Sequence, residues 1–244
     1  MEKYIKTPNL PDEMVRAVLV DYRINSESIK TLNSLGIKVY TTKSTDALYE
    51  AIWGHPDVVF YHLGDSRFVV SPENEEHFRK IQGIEILVGK SLLSSKYPKD
   101  ISYNAARVGN FLIHNFKYTD PIILENSENL IKINVNQGYS KCSVCVVSEN
   151  ALITSDIGIA KKCDNFGIDV LFIDDNSIKL KGVSHGFFGG TTGKLSKNLL
   201  AVNGDIKFHN NYEEILRFLD KYNVSIISLN QGDLEDVGTI IGLF

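Results

Sequence analysis

Several polar side chains stand in runs that are otherwise apolar, and their types suit chemistry: Asp57, His62 and Asp65; Asn104 and Arg107; Tyr139 and Lys141; His185; Asp233 and Asp236. Cys142 directly follows Lys141. Carboxylates hold cationic groups, an imidazole exchanges protons near neutrality, and a thiol beside a cation becomes a nucleophile. These rules make His185 and Cys142 the candidate catalytic residues. Asp65, Asn104, Arg107, Lys141 and Asp236 are the candidate substrate-binding residues. Arg107, within Tyr-Asn-Ala-Ala-Arg-Val-Gly, is costly to bury without a carboxylate or an anionic ligand.

Each of these residues has a structural reading beside the functional one. Arg107 also suits an ion pair with a neighbouring aspartate, and His185 a hydrogen-bonded position beside a glycine-rich turn. Cys142 shares strand parity with Val144 and Val146, which points to burial and an inert thiol.

Other short motifs carry less. Cys142 and Cys145 form a C-x-x-C inside an apolar β-rich run, where residues three apart face opposite ways. With Cys163 the only further cysteine, no four-ligand zinc site can be built from nearby sequence. Gly189-Gly-Thr-Thr-Gly-Lys194 departs from a phosphate loop in its first glycine and in Leu195. No G-x-G-x-x-G opens a helix, so dinucleotide binding has no support; the expectation is no metal and no cofactor.

Composition narrows the class of partner. The 244 residues are 43% hydrophobic and 23% charged with a formal net charge of −4, so a folded core is expected and a nucleic-acid partner is not. Pairs such as Lys161-Lys162 read as solvated helix surface. The polar start with Pro8 and Pro11 has no secretory core, and no apolar run approaches the roughly 20 residues of a membrane span. The reading is a soluble cytoplasmic protein with reduced thiols and no membrane partner. Oligomeric state is not legible.

The elements that position these residues recur along the chain. A turn residue followed by alternating β-formers appears at Gly36, Gly83, Asn129, Gly167 and Asn223. Helix-compatible stretches precede four of them: 26–35, 73–81, 157–166 and 212–222. The corresponding stretch 119–128 holds Pro121, so that helix is expected to be short or absent. Before the helices come paired strands, 56–62, 102–108, 139–147 and 184–191 supplying the first of each pair. A fifth unit is split, with 16–22 and 26–40 completed by 236–244 from the other end. The expected fold is α/β, a closed fivefold ββαβ propeller in one domain, 1–244, with 1–14 irregular and the ring spanning 16–244.

This pattern resembles the pentein superfamily, the fivefold α/β propellers that include arginine and agmatine deiminases, dimethylarginine hydrolases, amidinotransferases and a ribosome anti-association factor. Arg16-Ala-Val-Leu-Val, His55-Pro-Asp-Val-Val-Phe and Leu234-Glu-Asp-Val-Gly-Thr-Ile-Ile-Gly-Leu-Phe carry the likeness, which covers 16–244. The resemblance implies a central channel lined by the first strand of each unit. It also implies a cysteine nucleophile on the last strand, but Gly238, Thr239, Ile240 and Ile241 stand there. His185 falls one unit later than the family's histidine, and Asn104 and Arg107 replace the acidic motif of the second unit. Two function classes follow: binding or acting on a small polar molecule, amino-acid-like or amidino/guanidino, at the channel; or a non-catalytic protein-interaction module on the same fold.

Overall fold

The computed structural model describes residues 4–174 and 176–244. Fifteen strands form five separate three-stranded sheets. In chain order they are β1 (Ala17–Val20), β2 (Lys38–Thr41), β3 (Phe60–Gly64), β4 (Arg67–Val70), β5 (Glu85–Val88), β6 (Ala106–Val108), β7 (Phe111–His114), β8 (Ile131–Asn134), β9 (Val144–Ser148), β10 (Ala151–Thr154), β11 (Asp169–Phe172), β12 (Thr192–Ser196), β13 (Leu199–Val202), β14 (Ser225–Ser228) and β15 (Ile241–Gly242).

Every sheet has the same plan: an inner strand antiparallel to a middle strand, which is parallel to an outer one. The parallel pairs need a crossover, and helices Ser26–Ser34, Glu75–Phe78, Pro121–Glu125, Ile157–Asp164 and Tyr212–Asp220 supply it. Middle strands such as Ala-Val-Leu-Val and Ala-Leu-Ile-Thr are buried along their whole length, because sheet partners flank them and apolar layers cover both faces. This is the expected fivefold ring.

Local signals explain the crossovers. Asp156 accepts a hydrogen bond from the Ile159 N–H and Asp120 one from the Ile122 N–H, each capping a helix start. Gly36, Gly83, Gly167 and Asn223 all take positive φ, the left-handed turn that ends a helix and launches the outer strand. Pro121 occupies the first turn of a five-residue helix, so the second unit's helix is short, as its proline predicts.

The ring closes through its two ends. Antiparallel β15 meets β1 with Val18 opposite Gly242 and Leu19 opposite Ile241. Arg16 and Ala17 donate their N–H groups to the Phe244 carbonyl, and the Leu243 N–H returns to the Ala17 carbonyl. The last strand is shorter than the 236–244 expectation, because 236–239 forms a turn instead.

The inner strands also start later than the sequence predicts. Single helical turns, Pro56–Val59 and Ser140–Ser143, precede β3 and β9. In the fourth unit, 184–191 is a loop ending in a 3-10 turn, Gly189–Thr191, and the strand is Thr192–Ser196. The expected strand at 184–191 is therefore corrected. A Cβ on Gly189 would lie 2.5 Å from the Cys142 carbonyl oxygen, so this glycine serves a close backbone approach to the neighbouring unit.

No helix among the described residues is long and apolar enough to cross a membrane.

Candidate functional site

Five turns, one ahead of each inner strand, meet at the ring axis and form a nearly continuous hydrogen-bonded circle. The Asp57 N–H donates to the Gly238 carbonyl, the Lys141 N–H to the Asn104 carbonyl, and the Thr239 N–H to the Gly190 carbonyl. Asn104 Nδ2 donates to the Asp57 carbonyl at 3.2 Å. Because neighbouring turns bond directly, the side chains they carry are forced inward and away from water.

Those side chains form one buried cluster. Asp57 Oδ2 accepts from the Cys142 thiol at 3.1 Å and from the Thr239 hydroxyl at 2.7 Å. Lys141 Nζ donates to Thr239 Oγ1 at 3.2 Å, and Asn104 Nδ2 to Cys142 Sγ at 3.2 Å. Asp236 accepts from the Gly238 and Phe187 N–H groups, each at 2.9 Å. Its Oδ1 lies 4.0 Å from His55 Nδ1. Both nitrogens of His55 and Asp57 Oδ1 are buried with no hydrogen-bond partner among the described residues.

Burial dominates the electrostatics. It raises the Asp236 carboxyl above the ordinary range; His55 draws it down and Asp57 pushes it up. Burial lowers Lys141, with Asp57 as the opposing influence. Cys142 is pushed well up by burial, then by Asp57 and Asp236, so at neutral pH it is a thiol that donates to Asp57 and not a thiolate.

Of the residues expected from sequence, Asn104, Lys141, Cys142 and Asp236 come together. Arg107 does not join them. Its Nη1 donates to the Leu63 carbonyl at 2.7 Å and its Nε to the Gly109 carbonyl, and it is partly buried with no carboxylate among the described residues in hydrogen-bond reach. A cavity of about 20 Å³ lies among Pro8, Asn9, Asp57, His62, Arg107 and Lys141, room for about one water. Asp65 is exposed at the turn between β3 and β4. His185 is exposed too, bonded to the Ser184 hydroxyl at 3.0 Å and facing a cleft of about 480 Å³ with Gln137, Asp156 and Asn211. The late start of β12 is what leaves His185 outside the channel.

Three members of the cluster fall outside the candidate catalytic and substrate-binding residues read from sequence: Asp57, noted there only as a polar residue in an apolar run, His55 and Thr239. His55 is visible only as the first residue of His-Pro-Asp. Thr239 stands where the resemblance implies a nucleophile, and its φ of 73° is a left-handed conformation that a β-branched residue rarely adopts. Its neighbourhood explains why it persists: its N–H and hydroxyl are both bonded across the axis.

A segment of chain covers one end of the cluster. The Lys179 N–H donates to the Leu234 carbonyl and the Asp236 N–H to the Lys179 carbonyl. A Cβ on Gly186 would lie 2.5 Å from Asp236 Cβ. Beside it, Tyr139 donates to Asp100 at 2.5 Å and lies 3.4 Å from the Tyr49 hydroxyl.

A family model described as "Family of unknown function (DUF6873)" matches residues 19–241. The chain belongs to the DUF6873 family. A search of curated proteins finds no match for the DUF6873 chain. Solved structures share its fold at low identity. The inosamine-phosphate amidinotransferase of Streptomyces griseus is 10% identical over 100% of this chain and 97% of that one, with a TM-score of 0.55. The agmatine deiminase of C. jejuni is 10% identical over 91% and 90%, at 0.54. The DDAH of Pseudomonas aeruginosa is 9% identical over 88% and 92%, at 0.52. All are penteins, and the DUF6873 chain has the pentein fold.

Proposed function

We propose that this DUF6873 chain binds, at the axial cluster, a small organic cation bearing an amidino or guanidino group. The single observation that carries the reading is the set of buried, unpartnered acceptors at Asp57 Oδ1 and the His55 ring. Such orphans each cost about 1–3 kcal/mol, and a ligand with several N–H donors relieves them. Asp57 and Asp236 supply counter-charge, and Lys141 is the one buried lysine hydrogen-bonded into the cluster. The Phe187 N–H, which now occupies Asp236 Oδ2, is replaced by a ligand N–H when the 178–187 segment is displaced. The names of the structural neighbours, an amidinotransferase and an agmatine deiminase, suit the same chemical group. The buried thiols suit a reducing, cytoplasmic setting.

Thermal unfolding with agmatine, arginine and acetamidine, and with neutral citrulline as control, tests the proposal. The cations should raise Tm in a concentration-dependent way, and Asp57→Asn should remove the effect. An equal shift by citrulline defeats the charge argument. No shift by any compound favours the alternative, a non-catalytic interaction module, which the narrow axial cavity also suits.

A further inference from the structure

We propose that His55, Asp57 and Cys142 form a binding site for a zinc-class divalent cation. One ligand atom from each lies within 4.8 Å of the other two, and all three residues are buried. Imidazole nitrogen, carboxylate oxygen and thiolate sulfur are the donor types zinc takes, whereas magnesium and calcium demand oxygen alone. Proximity does not by itself make a site. The second observation is that, among the described residues, both His55 nitrogens and Asp57 Oδ1 are buried and have no hydrogen-bond partner, so the carboxylate oxygen and the unprotonated ring nitrogen each keep a lone pair unused.

The surroundings match the outer partners such ligands need. Asp236 faces His55 from the Nδ1 side at 4.0 Å, a carboxylate positioned to orient the ring. Asn104 Nδ2 points at Cys142 Sγ and Thr239 Oγ1 at Asp57 Oδ2, so thiolate and carboxylate each retain a donor after the metal arrives. Binding breaks the S–H bond of Cys142: the proton leaves to solvent and the sulfur pair goes to the ion. Charge then balances, the cation against Asp57 and the Cys142 thiolate, and Lys141 against Asp236. Local sequence spacing hides the set, because Asp57 and Cys142 lie 85 residues apart.

This inference does not rest on the organic-cation reading, and the two occupants compete, since both engage Asp57. The experiment therefore uses metal alone. Chelator-treated full-length protein is titrated with Co2+ and Zn2+, with Mg2+ as control, and absorbance is followed for sulfur-to-cobalt charge transfer. We expect one Co2+ per chain with a charge-transfer band that Zn2+ abolishes and Mg2+ does not. Cys142→Ser should eliminate the band, and Cys145→Ser and Cys163→Ser should retain it. Asp236→Asn, which alters the carboxylate facing the His55 ring, should weaken binding about 10–100-fold, the span usual for losing an outer partner of a metal ligand. Absence of the band in the wild-type protein overturns the proposal without recourse to any variant. So does a band that survives Cys142→Ser.

Discussion

The Thr239 hydroxyl donates to Asp57 Oδ2 at 2.7 Å across 182 residues of sequence, tying the turn before the last strand to the turn before β3. The same threonine holds its backbone at φ 73°, so one residue combines a strained conformation with a buried charge-assisted bond.

These two effects separate by substitution. Thr239→Ala keeps the left-handed backbone and loses the hydroxyl, and should destabilise by about 1–3 kcal/mol. Thr239→Gly loses the same bond but relieves about 1 kcal/mol of backbone strain. Urea unfolding should therefore rank wild type above Thr239→Gly and Thr239→Gly above Thr239→Ala. The reverse order of the two variants would show that the turn is not strained.

Ring closure makes the last residues indispensable. Removing 236–244 takes away β15, the Phe244 carbonyl that receives two N–H groups, and Asp236 itself. The truncated protein should lose its cooperative thermal transition. An unchanged Tm would mean that β1 tolerates an open inner edge.

Cys142 should be slow toward iodoacetamide at neutral pH in the folded state and fast once unfolded, because burial and two carboxylates hold its proton. For the same reason the protein should form no citrulline from arginine or dimethylarginine, and no N-carbamoylputrescine from agmatine, at enzyme-like rates. Citrulline formation abolished by Cys142→Ser would show instead that the thiolate forms within the cluster.

Two buried histidines give stability a defined pH dependence. Burial lowers His62 and His114 to about 4 each; carbonyls of Asp65, Gly138 and Ile101 oppose it. The unfolded chain binds these protons near pH 6.5 and the folded chain refuses them, so their contribution is complete above 6.5 and is lost as pH falls toward 4. Each adds at most about 1.4 kcal/mol per pH unit to the slope. Urea unfolding between pH 5 and 6.5 should show a shallower slope in His62→Gln than in the wild type. Equal slopes would mean His62 titrates normally.

Much of the architecture is legible in sequence because it depends on local signals. The four positive-φ turn residues, Gly36, Gly83, Gly167 and Asn223, mark helix ends that any reading of turns detects. The split fifth unit follows from counting strands. The start of each inner strand is less accessible: Pro56-Asp-Val-Val-Phe and Ser-Lys-Cys-Ser-Val-Cys are as compatible with a helical turn as with a strand. That ambiguity carries into the site. Cys142 is buried as strand parity suggests, but it sits on a helical turn, where parity has no meaning. His185 reads as an inner-strand residue because its glycine-rich neighbours mimic the start of a strand that in fact begins at Thr192. His55 and Thr239 lie on turns, and only the closing of five turns about one axis shows that they face each other.

The hydrogen-bonded circle of turns also fixes an order of events during synthesis. Asp57, Asn104, Lys141 and Cys142 leave the ribosome long before Gly238 and Thr239, whose carbonyl and hydroxyl bond to Asp57. A nascent chain can stack its earlier sheets while the carboxylate and ammonium groups remain hydrated through the open sector. Their desolvation is deferred until the segment bearing Gly238 and Thr239 docks, so dehydration of the axis and closure of the ring become a single step.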